Sequence, residues 1–128
     1  MTMESPCVAV VDDEGSIRTA LRRLLRLADY DVATFESGEA FLASLPSRRP
    51  ACVVLDVHMP GLSGIDVQVR LRVGCPSIPV VFMTASDDVA LEAMVLAVGG
   101  IRLLRKPFSN DALLEAIGAA TGMPKDPP

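Results

Sequence analysis

The apolar runs of this sequence stop far short of the roughly 20 residues that a membrane-spanning helix needs. Residues 1–6 lack both the basic n-region and the apolar h-region of a secretory signal. Surplus positive charge is missing as well. Lys and Arg total 12 against 16 Asp and Glu, a net charge of −4, which excludes a strong electrostatic footprint for DNA or an anionic membrane. Arg18, Arg22, Arg23 and Arg26 do cluster, but at helical spacing, and read as a solvated helix face. The three cysteines, Cys7, Cys52 and Cys75, form no CxxC pair and no metal-ligand spacing. They read as small, mostly buried hydrophobes in a reducing cytosol. Internal repeats and low-complexity segments are absent. These absences leave a cytoplasmic protein expected to bind neither nucleic acid nor membrane directly.

What is present fits one compact domain. The chain has 128 residues, 50% hydrophobic and 22% charged, enough to bury a sizeable core. Short apolar runs alternate with longer stretches of helical period. Strands are expected at 7–11, 31–35, 51–55, 78–84 and 101–105. Helices are expected at 15–28, 38–45, 65–73 and 87–98, with a last one running to about residue 120. In the first helix Ile17, Ala20, Leu21, Leu24, Leu25 and Ala28 form one stripe. Asp29 suits a left-handed helix stop, and Gly99 and Gly100 close the fourth helix. Ser37 and Ser109 suit N-caps, with Asp111 placed in the first turn of the last helix. Five strands alternating with five helices predict an α/β fold, a mainly parallel sheet covered on both faces. The domain is expected over 1–121, followed by a Pro-rich tail at 122–128 that is either a free terminus or a linker stub.

In an open α/β sheet, ligands gather at the carboxyl ends of the strands. Polar residues fall there in four of the five strands: Asp12 and Asp13, Asp56, Thr84, and Lys106 with Pro107. Each has an ordinary explanation when taken alone. Asp12 and Asp13 suit a helix start, Asp56 a turn, Thr84 a strand end, and Lys106 the surface. No structural rule requires all five in one chain. Three converging carboxylates repel one another, and a divalent cation relieves the repulsion. Hard oxygen ligands in this number suit Mg²⁺.

The segments Val10-Val11-Asp12-Asp13-Glu14, Val54-Leu55-Asp56-Val57-His58-Met59-Pro60-Gly61-Leu62-Ser63-Gly64, Met83-Thr84-Ala85 and Lys106-Pro107-Phe108 carry a resemblance. They resemble the receiver domains of bacterial two-component response regulators, with family-like spacing from about residue 7 to residue 120. The stretch from Pro60 to Val67 and the closing Lys106-Pro107-Phe108 are most similar to receivers attached to helix-turn-helix output domains. The resemblance implies a flavodoxin-like, doubly wound, five-stranded parallel sheet of order 2-1-3-4-5. It also implies Asp56 as the phosphoacceptor for a sensor histidine kinase, a role that makes the domain no turnover enzyme. Asp13, Asp56 and the backbone carbonyl of His58 would ligate Mg²⁺ directly, and Asp12 through water. Lys106 and Mg²⁺ would neutralise charge on the transferring phosphoryl group, and a cis peptide bond would precede Pro107. Thr84 would move to bond a phosphoryl oxygen and shift a two-state equilibrium. The surface of the fourth helix, fifth strand and fifth helix would then change its partners, towards a homodimer.

One position departs from the family's pattern. The switch aromatic expected three residues before the lysine is Leu103, which either packs as core or routes the switch differently. His58 and Ser86, each two residues after a site residue, are expected to tune the lifetime of the phosphoryl group or to be ordinary loop residues. Two other functions share these features. A Mg²⁺-dependent phosphohydrolase would also use a strand-end Asp, but Val57-His58 follows Asp56, so the second acid of a DxD pair is missing. A constitutive protein-binding receiver is the alternative that Leu103 favours.

Overall fold

The computed structural model of the chain describes residues 5–122. Elements alternate along it: β1 (Cys7–Val11), α1 (Gly15–Leu27), β2 (Asp31–Phe35), α2 (Gly38–Ser44), β3 (Cys52–Asp56), α3 (Gly64–Gly74), β4 (Val80–Thr84), α4 (Leu91–Ala97), β5 (Arg102–Arg105) and α5 (Asn110–Thr121). All strand pairs are parallel, in the order β2-β1-β3-β4-β5. The parallel sheet is the one expected from the alternation of strands and helices, and its doubly wound order is the one the family resemblance implies.

The side-chain alternation of the strands divides the core in two. Val8 and Val10 of β1 join Leu21 and Leu25 of α1 and Leu113 and Ile117 of α5 on one face. Ala9 and Val11 join Phe41 of α2, Val67 and Leu71 of α3, and Leu91 and Val95 of α4 on the other. With both faces covered, β1, β3 and β4 are almost continuously apolar; β3 and β4 end on a polar residue, and one follows β1 directly. Each fully buried Val, Leu, Ile or Phe contributes roughly 1.5–3 kcal/mol of transfer free energy. The central strands are therefore the most strongly fixed part of the molecule, and they carry the site.

The ends of the elements follow local chemistry. The hydroxyls of Ser37 and Ser109 accept from the N–H groups of Ala40 and Ala112, as their places in the sequence predict. Asp29 adopts the expected left-handed conformation, with φ 71°. Several boundaries differ from expectation, and in four elements the difference has an identifiable local cause or consequence. The third strand is shifted by one residue and takes in Asp56, expected at its carboxyl end, as its last residue. The fourth strand begins at Val80, because Ile78 is held in a turn on the Cys75 carbonyl and Pro79 has no N–H. The third helix is longer than its apolar pattern and starts in a capping box between Ser63 and Asp66. The fourth helix starts at Leu91, since Ser86 and Asp88 bond the backbone N–H groups ahead of them and hold 85–90 in turns. In α1 the apolar stripe buries Leu21 and Leu25, while Ala20 stays exposed. Gly122 caps α5 with a left-handed φ of 72°; the rest of the expected tail, 123–128, lies outside the described residues. Among the described residues no helix is long and apolar enough to cross a membrane.

Candidate functional site

The carboxyl ends of β1, β3, β4 and β5 bring the expected residues to one edge of the sheet. β1 runs directly into Asp12, which is fully buried; Asp13 follows and is exposed. Asp56 closes β3 and is 6% exposed, and Thr84 closes β4 and is fully buried. Lys106 follows β5. Its backbone N–H donates to the Thr84 carbonyl at 2.7 Å, so the lysine starts alongside the end of β4. The Lys106–Pro107 peptide is cis, as expected.

From there the ammonium reaches across the edge. Lys106 Nζ donates to Asp12 Oδ2 at 2.9 Å and lies 3.7 Å from Asp56 Oδ1 and 3.9 Å from Glu14 Oε1. Carboxylate oxygens of Asp12, Asp13 and Asp56 all lie within 4.8 Å of one another. One lysine does not balance three acids. Desolvation is the largest influence on Asp56, and the neighbouring charges of Asp12 and Asp13 add to it. Lys106 and the His58 backbone N–H act in the opposite direction and only partly compensate. The Asp56 carboxyl is pushed up from 3.8 to about 6. At Lys106, burial alone would lower the pKa; the Asp12 hydrogen bond and the charges of Asp56, Asp12 and Glu14 outweigh it and raise it. The oxygens are hard, anionic and close, a donor set that fits a divalent cation.

Supporting contacts fix these groups. Asp12 Oδ1 accepts from the Glu14 N–H at 2.9 Å, and its backbone carbonyl accepts from Arg18 Nη1 at 2.8 Å. The start of α3 packs directly beneath Asp56, where a Cβ on Gly64 would collide with the Asp56 carbonyl and the Val57 backbone. The Thr84 hydroxyl accepts from the Ser86 N–H at 3.0 Å, which leaves its own proton free to be donated. Ser86 is half-buried, with its hydroxyl accepting from the Asp88 N–H, and His58 is exposed at the rim. Leu103 is partly buried and packs against the cluster that holds Leu91 and Val95.

Three contributors were not singled out in the sequence. Arg18 was read with its neighbours as solvated face, yet it is half-buried and braces Asp12. Glu14 adds a fourth acid near the lysine. Arg105 bonds two carbonyls of the loop after Thr84. The pattern Asp12-x-Glu14 was visible, but no local rule marks an arginine for a backbone carbonyl six or more residues away. Burial pushes the Cys52 thiol up to about 12 and raises that of Cys7, in keeping with their reading as small hydrophobes.

Comparison with known proteins agrees with this geometry. The family described as "Response regulator receiver domain" matches residues 8–118. The chain is 37% identical over 113 residues to the transcriptional regulatory protein FixJ of Bradyrhizobium diazoefficiens, covering 88% of this chain and 55% of that protein. With the transcriptional regulatory protein TdiR of Thauera aromatica it shares 38% over 125 residues, 98% of this chain and 55% of the relative. It therefore spans about half the length of the curated relatives it matches. A crystal structure of a response regulator receiver protein from Burkholderia phymatum superposes with TM-score 0.86 at 44% identity, covering 96% of this chain and all of that one. With the acids and the lysine gathered at one sheet edge and this kinship across most of its length, the chain belongs to the response regulator receiver domain family of two-component signalling.

Proposed function

We propose that this domain accepts a phosphoryl group on Asp56 from the phosphohistidine of a sensor histidine kinase. The observation that carries the reading is the meeting of Asp12, Asp13 and Asp56 within 4.8 Å, with Lys106 Nζ between Asp12 and Asp56. A carboxylate oxygen of Asp56 attacks phosphorus. The new O–P bond forms as the P–N bond breaks, and the electron pair of the broken bond stays on the imidazole nitrogen, which takes a proton. Transfer of this kind depends on positioning and charge neutralisation more than on covalent chemistry by the protein. Lys106 is placed to hold an equatorial phosphoryl oxygen, and the free proton of Thr84 to bond another. Mg²⁺, held by Asp13, Asp56 and the His58 carbonyl with Asp12 through water, would supply the charge neutralisation that one lysine does not. Later attack of water on phosphorus releases phosphate and restores the carboxylate, so no external substrate is turned over.

The site acts as a switch, biasing the β4–α4 loop and the α4-β5-α5 surface towards a homodimer. The relatives are named transcriptional regulators, and the chain spans about half of them. The output is accordingly control of transcription through a separate domain, in the cytoplasm, without DNA contact by the receiver. Incubation with a small phosphodonor and Mg²⁺ tests the reading by intact mass. One added phosphoryl group that is lost in Asp56→Asn supports it, and turnover of an external phosphoester favours a phosphohydrolase. The absence of any labelling favours a constitutive binding domain.

A further inference from the structure

The loop between β4 and α4 holds itself together by short-range bonds. The Thr84 hydroxyl accepts from the Ser86 N–H at 3.0 Å, the Ser86 hydroxyl from the Asp88 N–H at 3.1 Å, and Asp88 Oδ1 from the Ala90 N–H at 3.0 Å. The Asp88 carbonyl accepts from the Leu91 N–H at 3.2 Å, which joins these turns to the start of α4. Such a chain of local bonds keeps its own shape but does not fix where the loop sits. Arg105 does. Its Nη1 donates to the Ser86 carbonyl at 2.8 Å and its Nη2 to the Asp88 carbonyl at 3.1 Å, across separations of 19 and 17 residues. The planar guanidinium fork suits two acceptors at once.

The alternation of β5 explains why the task falls to this residue. Leu104 enters the α1 and α5 side of the core, and Arg102 pairs with Glu115 of α5. Leu103 and Arg105 therefore share the opposite face, towards α4. Leu103 packs among apolar neighbours and has no polar atom to offer the loop. Arg105 lies two residues further along the same face, immediately before Lys106. Among the described residues its guanidinium makes no ion pair; its bonds go to the two carbonyls.

We propose that Arg105 is the positioning residue that ties β5 to the Thr84 loop, coupling the phosphoacceptor edge to α4 in place of contact through Leu103. The coupling rests on the phosphoacceptor reading. The tie itself exists without any phosphoryl group and is measured separately. When Thr84 is drawn to a phosphoryl oxygen, the Ser86 and Asp88 carbonyls shift, and the guanidinium that spans them carries the displacement to β5.

Hydrogen exchange of the whole chain, with and without beryllofluoride and Mg²⁺, tests this in wild type, Arg105→Ala, Arg105→Lys and Leu103→Ala. Without beryllofluoride, Arg105→Ala should speed exchange in residues 85–91 about tenfold, the loss expected from hydrogen bonds to a charged donor. Amides of β1 and β3 should be unchanged, which separates lost positioning from general destabilisation. Arg105→Lys, with one compact donor group, should restore part of the protection. With beryllofluoride, the change seen in β5 and α4 of wild type should vanish in Arg105→Ala and persist in Leu103→Ala. Unchanged loop exchange in Arg105→Ala overturns the tie, and a response abolished by Leu103→Ala but not by Arg105→Ala overturns the coupling. Wild type that neither gains a phosphoryl group nor responds to beryllofluoride refutes the phosphoacceptor reading and the coupling with it. The exchange of the free protein still decides whether Arg105 fixes the loop.

Discussion

The two ends of the sheet are built from the same kinds of residue and differ in almost every physical respect. At the carboxyl end Asp12, Asp56 and Thr84 are buried, and Asp12, Glu14 and Asp56 share the partly exposed Lys106. At the amino end an open cavity of about 950 Å³ is lined by Arg26, Arg48, Arg49, Asp29 and Asp31 among others. There arginines and acids are in near balance, and Arg48 pairs with Asp31 while both remain about half exposed. Volume and the number of charged groups would favour the amino end as a site. Burial of unbalanced charge singles out the other, because desolvated like charges are held at a cost that a purely structural role does not explain. Exposed, paired charges cost little and contribute little.

That contrast breaks first at Lys106. Lys106→Met should slow phosphoryl uptake from a small donor about 100-fold, the usual loss when one charge-stabilising group is removed. Arg48→Ala should leave the rate unchanged, and equal effects from both, measured by mass against time, would erase the distinction between the ends. A second test concerns the cation. Asp13→Asn should weaken Mg²⁺ binding about tenfold in titration calorimetry, since it removes a charge from the donor set. Asp29→Asn at the other end should have no effect.

The buried charge also predicts an inverted stability effect. The native state holds the Asp56 proton up to a pH of about 6, whereas the unfolded chain releases it near 3.8. Stability therefore falls as pH rises between these values, and the penalty is complete above the higher one. In metal-free protein at pH 7.5, Asp56→Asn should raise stability by about 1–3 kcal/mol in urea titrations. The gain should fade as pH drops through about 6 and disappear below about 4. A loss of stability at pH 7.5 would mean that Asp56 is not strained by its neighbours. The smallest effects belong to the rim. His58→Ala and Ser86→Ala should each change the decay of the phosphorylated form several-fold without altering uptake, and unchanged decay in both would remove them from the site.

Much of this was legible in the sequence. Buried parallel strands are nearly continuous apolar runs, so β1, β3 and β4 declare themselves, and Ser37, Ser109 and Asp29 mark helix ends by chemistry confined to a few residues. The start of α4 was misread because Ser86 and Asp88 compete for backbone N–H groups that an apolar pattern assigns to a helix. The Ser63-Asp66 capping box escaped for the opposite reason: glycine and proline around it signal a turn. Arg18 and Arg105 could not be separated from ordinary surface arginines, since each acts on backbone carbonyls outside its own element, Arg18 six residues back and Arg105 19 and 17 residues back. Gln68 is similar; buried in α3, it donates to the Val98 carbonyl at the end of α4 and leaves its own Oε1 without a partner among the described residues.

By itself the sequence determined the order of elements, the two-faced core and the set of acids, threonine and lysine that end the strands, because these depend on hydrophobic periodicity and on residue type. Only the tertiary structure decided how those groups act on one another. Lys106 meets Asp12 across 94 residues of chain. The Asp56 carboxyl titrates near 6 because desolvation and the approach of Asp12 and Asp13 outweigh that lysine. Coulombic and desolvation effects depend on distance and burial in space, and neither is written in the spacing of residues along the chain.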